Sequence, residues 1–346
     1  MGPQKKNLIK LAVRAVVTVA LLIWVFAKID VRQLLDITKQ VNWLLLVVIW
    51  IVTLAGFWIQ SYKMKLILKK QGCHVDVATI FGVSAVTALY GMVLPGLLDV
   101  SVKWYALKRH TGKPSNVLSS MIYNQFTATL VMVILGLAAL IMINPRSNWK
   151  LSAICAVLLA VIIIASWVLL SSRTGPRLTE RLSRILNPFP PKLRKAGVKI
   201  LQQLSGFQNS GWRFHLNILF LTLAGAIVGG IIVFILSAKA AQIDLPILVL
   251  IGQCSLICLL SRLPISVANL GVREATLIES SALYGVNAPS ALLMSLIILS
   301  NRVLMVVIGA ICLLIWTLRT DRKSVSAQHP DVGKNHGAAH SEQPSD

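Results

Sequence analysis

The segment Leu263-Pro264-Ile265-Ser266-Val267-Ala268-Asn269-Leu270-Gly271-Val272-Arg273-Glu274-Ala275 holds the densest chemistry in this sequence. Pro264 breaks a helix, because it lacks an N–H and its ring collides with the preceding turn. Ser266 and Asn269 can cap a new helix, and Gly271 permits a tight turn or a close backbone approach. Arg273 offers a planar fork of donors suited to phosphate or carboxylate. Glu274 either neutralises Arg273 while no ligand is bound or forms with it a permanent ion pair that pins the segment. Arg262 stands just ahead. Arg302 follows Asn301 in the middle of an apolar run, where its head cannot easily snorkel to water. It reads as a ligand-binding cation or as the partner of Glu274, Glu279 or Asp99. Asp99 and Lys103 lie one helical turn apart after Leu94-Pro95-Gly96, as a local ion pair or a second polar site. Asn124 and Gln125 occupy a place comparable to Asn301 and Arg302, suited to a polar headgroup or to interhelical hydrogen bonds.

Other chemistries find little material. Gly112-Lys113-Pro114-Ser115 lacks the first glycine and the Ser or Thr of a phosphate-binding loop. His336 and His340 have no acidic or Cys companion at metal spacing. The five cysteines form no CxxC and read as buried helix packing. Asp99, Glu274, Glu279 and Asp244 are a thin acidic inventory for acid–base work. The sequence therefore predicts no catalytic residue, no metal, no cofactor and no enzyme activity.

The elements that must hold these residues are membrane helices. The chain has 346 residues, 56% hydrophobic and 13% charged, with 34 Lys and Arg against 12 Asp and Glu. Charge depletion of this kind is what a hydrocarbon solvent selects. The excess of basic residues lies mostly between apolar runs, which points to anionic lipid headgroups rather than nucleic acid. Spanning takes about 20 apolar residues, and six stretches suffice: 8–28, 42–61, 117–142, 151–171, 215–237 and 290–317. Two further stretches, 77–116 and 245–289, are broken by Pro, Gly and charge. Letting both dip in and return to the same side puts most basic residues inside, as the positive-inside rule requires; making them cross inverts the rule. The predicted fold is an all-α polytopic membrane protein of about six spanning helices plus two re-entrant hairpins. Both hairpins run Leu-Pro, polar stretch, Gly, Pro-Ser, long helix, in opposite insertion, which is an inverted-repeat plan. Residues 1–320 form one transmembrane domain, with a basic cytoplasmic loop at 172–214 and a disordered cytoplasmic tail at 321–346. The expected location is the inner (cytoplasmic) membrane, multi-pass, with both termini cytoplasmic.

The segment from Leu263 to Ala275, followed by Tyr284-Gly285-Val286 and the Asn301-Arg302 helix, resembles the lysylphosphatidylglycerol synthase transmembrane, or flippase-like, family. Leu94-Pro95-Gly96 and Asp99 look like its first block, although Leu97-Leu98 stand where relatives often have paired glycines. The resemblance implies lipid translocation, with Arg273, Glu274 and Arg302 in a polar cavity. It also implies that this chain, without an aminoacyl-transferase domain, does not make the aminoacylated lipid itself. The leading expectation is a flippase for a phospholipid or polyprenyl-phosphate-linked lipid, using Arg273, Arg302, Asn301, Ser266, Asn269, Gly271, Glu274, Asp99, Lys103 and Arg262. The alternative is a non-transporting subunit that holds a glycosyltransferase or lipid-modifying enzyme through the basic loop. Arg273→Ala is expected to abolish transport and spare folding.

Overall fold

The computed structural model describes residues 42–93, 98–143, 149–170, 198, 202–203, 205–261 and 271–328. Among these, the regular structure is entirely helical. Helix α1 is Trp43–Lys70, α2 Val77–Val93, α3 Leu98–Thr111, α4 Pro114–Ile143 and α5 Trp149–Leu170. After a short 3-10 turn at Gln208–Ser210 come α6, Trp212–Ala226, a π-helical segment at Ile227–Ile232, and α7, Val233–Ala240, in one continuous rod. Helices α8, Ile247–Leu260, α9, Val272–Ala282, and α10, Ala288–Gln328, complete the chain.

Four of these rods are long and apolar enough to cross a membrane: Trp43–Lys70, Pro114–Ile143, Trp212–Ala240 and Ala288–Trp316. Their polar side chains are managed locally. Thr53, Thr222 and Ser237 donate to the carbonyls of Ile49, Ile218 and Val233 one turn back, at 2.8, 2.6 and 2.7 Å, so these three hydroxyls are not left bare in an apolar layer. The helix ends follow backbone rules. Asn42 caps α1 through Leu44 N–H at 2.9 Å, and Pro114 opens α4 at the position where a missing N–H does no harm. Chain reversals fall at positive φ: Gly72, Gly112 and Gly285, and at Gln242 with φ 57.

The packing is reciprocal. The most extensive contacts are α2 against α10 and α4 against α8. Thus the first arm of each broken hairpin lies along the long helix that follows the other hairpin. Helix α2 also packs on α3, and α8 on α9. Between the halves, α1 crosses the α6–π–α7 rod at Gly56 and Gly229. A Cβ on Gly56 would stand 2.4 Å from the Gly229 Cα, so only glycine allows this approach. On α10, a Cβ on Gly309 would come within 2.3 Å of the Ala85 carbonyl oxygen of α2.

Several boundaries differ from the sequence reading. Helix α1 continues to Lys70, past the predicted end at 61, because Lys63, Met64, Ile67 and Leu68 are all buried and keep the 3.6-residue pattern going. Helix α10 runs to Gln328, so the first eight residues of the predicted tail are helical; nothing between Arg319 and Gln328 is Gly or Pro. The other predicted spans shift by at most three residues at either end, apart from this C-terminal extension. The predicted first helix at 8–28, most of the 172–214 loop and the tail from 329 lie outside the described residues.

Candidate functional site

Arg273 and Glu274 sit in the first turn of α9, and both are buried, at 5% and 4% exposure. Gly271, at φ +82, turns the chain into this helix. Its N–H donates to Glu274 Oε2 at 2.7 Å. Glu274 thereby caps its own helix from the third position, where a carboxylate is also favoured by the helix dipole. Its other oxygen, Oε1, accepts from the Arg273 guanidinium and from Ser295 Oγ at 3.0 Å. Arg273 Nε donates to the same Ser295 Oγ at 2.9 Å. Ser295 comes from α10 and is fully buried. The result is a closed cluster in which one cation, one anion, one hydroxyl and a helix N-terminus satisfy each other.

Charge in such a place is kept only by this pairing, since an isolated buried ion costs several kcal/mol. A phosphate or carboxylate offered to Arg273 competes directly with Glu274 for the guanidinium.

Helices α8 and α10 also carry buried polar atoms with no hydrogen-bond partner among the described residues. Asn301, 7% exposed, has both amide atoms unmatched. Gln253 on α8 donates to Ser281 Oγ on α9 at 3.2 Å, while its own Oε1 has no partner. The antiparallel contact of α2 and α10 runs from Gly82 against Trp316 to Ala85 against Gly309. Continued along both helices, this register brings Asn301 level with the last turn of α2. On the other side, Gly136 meets Ser255 and Gly252 meets Ala139, and the same continuation brings Asn124 beyond the end of α8. Asn124 Oδ1 is also buried and unmatched. Each long helix therefore carries a buried amide toward the end of the opposite hairpin's first arm.

The structure joins some predicted residues and separates others. Gly271, Arg273 and Glu274 come together. Asn301 is buried on α10, six residues beyond Ser295. Arg302 is exposed, two turns along α10 from Ser295, and the bonds that close the cluster come from Gly271 and Ser295 instead. Lys103 is partly buried on α3, one turn from Asp99; the Asp99 side chain, Arg262, Ser266 and Asn269 lie outside the described residues. The expectation that Arg273→Ala spares folding does not fit the cluster, because alanine would leave the Glu274 carboxylate buried without its cation. Sequence reasoning missed Ser295, whose only signal is a hydroxyl seven residues before Arg302 in an apolar run. It also missed Lys63, a lysine buried at 0% exposure in α1.

A family model described as lysylphosphatidylglycerol synthase TM region matches residues 10–318. Neither the curated proteins nor the solved structures yield a match to this chain.

Proposed function

Since the chain belongs to the lysylphosphatidylglycerol synthase transmembrane family, we propose that it is a lipid transporter rather than an enzyme. It moves a phospholipid or a polyprenyl-phosphate-linked lipid between the leaflets of the inner (cytoplasmic) membrane. In this reading the chain has six spanning helices and two re-entrant hairpins, α2–α3 from the cytoplasm and α8–α9 from outside. They form an inverted repeat, and both termini are cytoplasmic. The reciprocal contact of α2 with α10 and α4 with α8 supports that plan, which transporters use to open one side at a time.

The observation that carries the function is the buried Arg273–Glu274–Ser295 cluster at the start of α9. Ionisable groups at membrane depth are costly, and they mark substrate pathways by default. The lipid phosphate takes the Arg273 guanidinium, and Glu274 is released to a cationic headgroup part or to water. Asn301, with its free amide, and Arg302 lie along the same helix to receive the rest of the headgroup. When the lipid leaves, Glu274 closes back on Arg273, so no bare charge remains in the apolar layer. Asp99 and Lys103 serve the first hairpin in the same way.

Mass spectrometry of lipids retained by the gently purified protein tests this. Wild type is compared with the charge-neutral double substitution Arg273→Gln with Glu274→Gln, which leaves no unpaired ion behind. One lipid class enriched in wild type and lost in the double variant identifies the substrate and its site. Bulk membrane lipid in both would remove the support for transport and favour a membrane subunit that recruits a glycosyltransferase or lipid-modifying enzyme.

A further inference from the structure

The charges around Glu274 can be counted. Its carboxylate accepts from the Gly271 N–H, the Arg273 guanidinium and the Ser295 hydroxyl, and in this closed state the buried charges of the cluster sum to zero. The helices in most contact with α9 are α8 and α10. Helix α8 has no charged residue, and its titratable groups are Cys254 and Cys258. On α9 the other ionisable side chain is Glu279, which is exposed. Between Ala288 and Trp316, α10 carries Arg302 and Cys312, and Arg302 is exposed, two turns from Ser295. Leu277 of α9 also shares a buried cluster with Ile49 of α1 and Phe234 of α7. Helix α1 has no charged residue before Lys63, while Lys239 of α7 and Asp244 beyond it are exposed. Among the described residues, Arg273 is the cation bonded to Glu274.

A lipid phosphodiester carries a single negative charge. When it takes the Arg273 guanidinium, those two charges balance and the Glu274 carboxylate is left over. A carboxylate buried without its cation binds a proton rather than stay charged. The cluster keeps the acid form bonded. Its carbonyl oxygen still accepts the Gly271 N–H. Its new O–H donates to Ser295 Oγ, which accepts from Arg273 Nε in the closed state and is vacated when Arg273 turns to the phosphate. The Ser295 O–H is then open to the phosphate.

We propose that Glu274 carries the proton of a lipid–proton symport: a proton enters the site with each lipid whose headgroup has no cation of its own, and leaves with it. The proposal rests on the reading of Arg273 as the holder of the lipid phosphate. Empty, the site holds cationic Arg273 and anionic Glu274. Loaded, it holds cationic Arg273, the anionic phosphate and neutral Glu274. A headgroup with its own ammonium, such as that of phosphatidylethanolamine, takes ionised Glu274 as counter-ion and needs no proton. Either load is neutral, and only the anionic lipid is driven by a proton gradient.

Isothermal titration calorimetry of the detergent-purified full chain tests this. Repeating the titration in buffers of different ionisation enthalpy counts the protons taken up per lipid. With dihexanoyl phosphatidylglycerol, about one proton is expected at about pH 6. The loaded state holds the extra proton, so affinity should rise as pH falls, by up to about tenfold per pH unit. Dihexanoyl phosphatidylethanolamine is expected to bind without uptake. Glu274→Gln, which resembles the protonated acid, should bind phosphatidylglycerol with neither uptake nor pH slope. The two-lipid comparison in wild type decides even where that variant is too unstable to titrate. Phosphatidylglycerol binding without uptake, or equal uptake with both lipids, overturns the proton role and leaves Arg273 as the lipid site. Uptake that persists in Glu274→Gln belongs to another group, such as a histidine, and also overturns it. If neither lipid binds saturably, the transporter reading itself fails and the proposal falls with it.

Discussion

At the scale of single residues, the Arg273–Glu274 pair separates the cost of a charge from the cost of a partner. Glu274→Gln leaves the Arg273 guanidinium buried with a weaker acceptor, and Arg273→Gln leaves a bare carboxylate. Each single change is expected to destabilise the chain by about 3–5 kcal/mol, as broken buried pairs do. The double change should recover most of that loss, because neutral amides can hydrogen-bond Ser295 and each other. Thermal unfolding of the three variants in detergent checks this. Additive single effects in the double variant would mean that the two side chains do not act as a pair. Ser295→Ala removes a hydroxyl that both accepts from Arg273 and donates to Glu274. It is expected to cost about 1–3 kcal/mol in the same melts.

At the scale of elements, close backbone approach sets how the helices pair. Gly56 and Gly229 leave no room for a methyl group between α1 and the π segment, and Gly309 leaves none against Ala85. Gly309→Ala and Gly56→Ala each force two backbones apart, and each should lower stability by about 1–3 kcal/mol or more. A surface change such as Leu283→Ala on a residue 83% exposed is the control, and should move the melting point little. The turn residues make a second prediction. Gln242 holds φ 57, a conformation that costs a side-chain-bearing residue about 1–2 kcal/mol. Gln242→Gly should therefore raise stability by roughly 1 kcal/mol, while Gly72→Ala, at φ 70, should lower it by a similar amount. The same melting assay decides both signs.

At the scale of the whole molecule, the two halves share more than composition. In each, a helix ends on a positive-φ residue, Gly72 or Gln242, and the next helix begins five residues later, at Val77 or Ile247. Each hairpin then ends on a positive-φ glycine, Gly112 or Gly285, and a long helix follows. If the halves insert oppositely, these turns lie on opposite faces of the membrane. Single cysteines at Lys108 and at Tyr284, both exposed, should then label from opposite sides with a membrane-impermeant thiol reagent. Labelling of both from one side would require one hairpin to cross. Of the native cysteines, Cys73, Cys155 and Cys254 are buried, while Cys258 and Cys312 are half-buried and are replaced by Ser in the labelled background.

Membrane residence was legible in the amino-acid sequence itself, because each long apolar run commits its backbone to a helix whatever it packs against. The family was legible too, carried by residues from Leu263 to Ala275 and by Asn301-Arg302, and so was the pairing of Arg273 with Glu274, which adjacency alone suggests. Ser295 was not legible. It joins the cluster only because α10 lies against α9, and no local pattern distinguishes it from the many serines that bond back to their own helix. Lys63, just past the predicted span end at 61, was not singled out for the same reason. A lysine near a helix end is drawn to water by its own chemistry, and only the arrival of α4 and α6 on either side buries it. Arg302 is exposed on α10, which its place in the middle of an apolar run did not show. Hydropathy is a property of one segment and its solvent, so sequence can report it. Which face of a helix is inside depends on where its neighbours stand, and tertiary packing alone decided that.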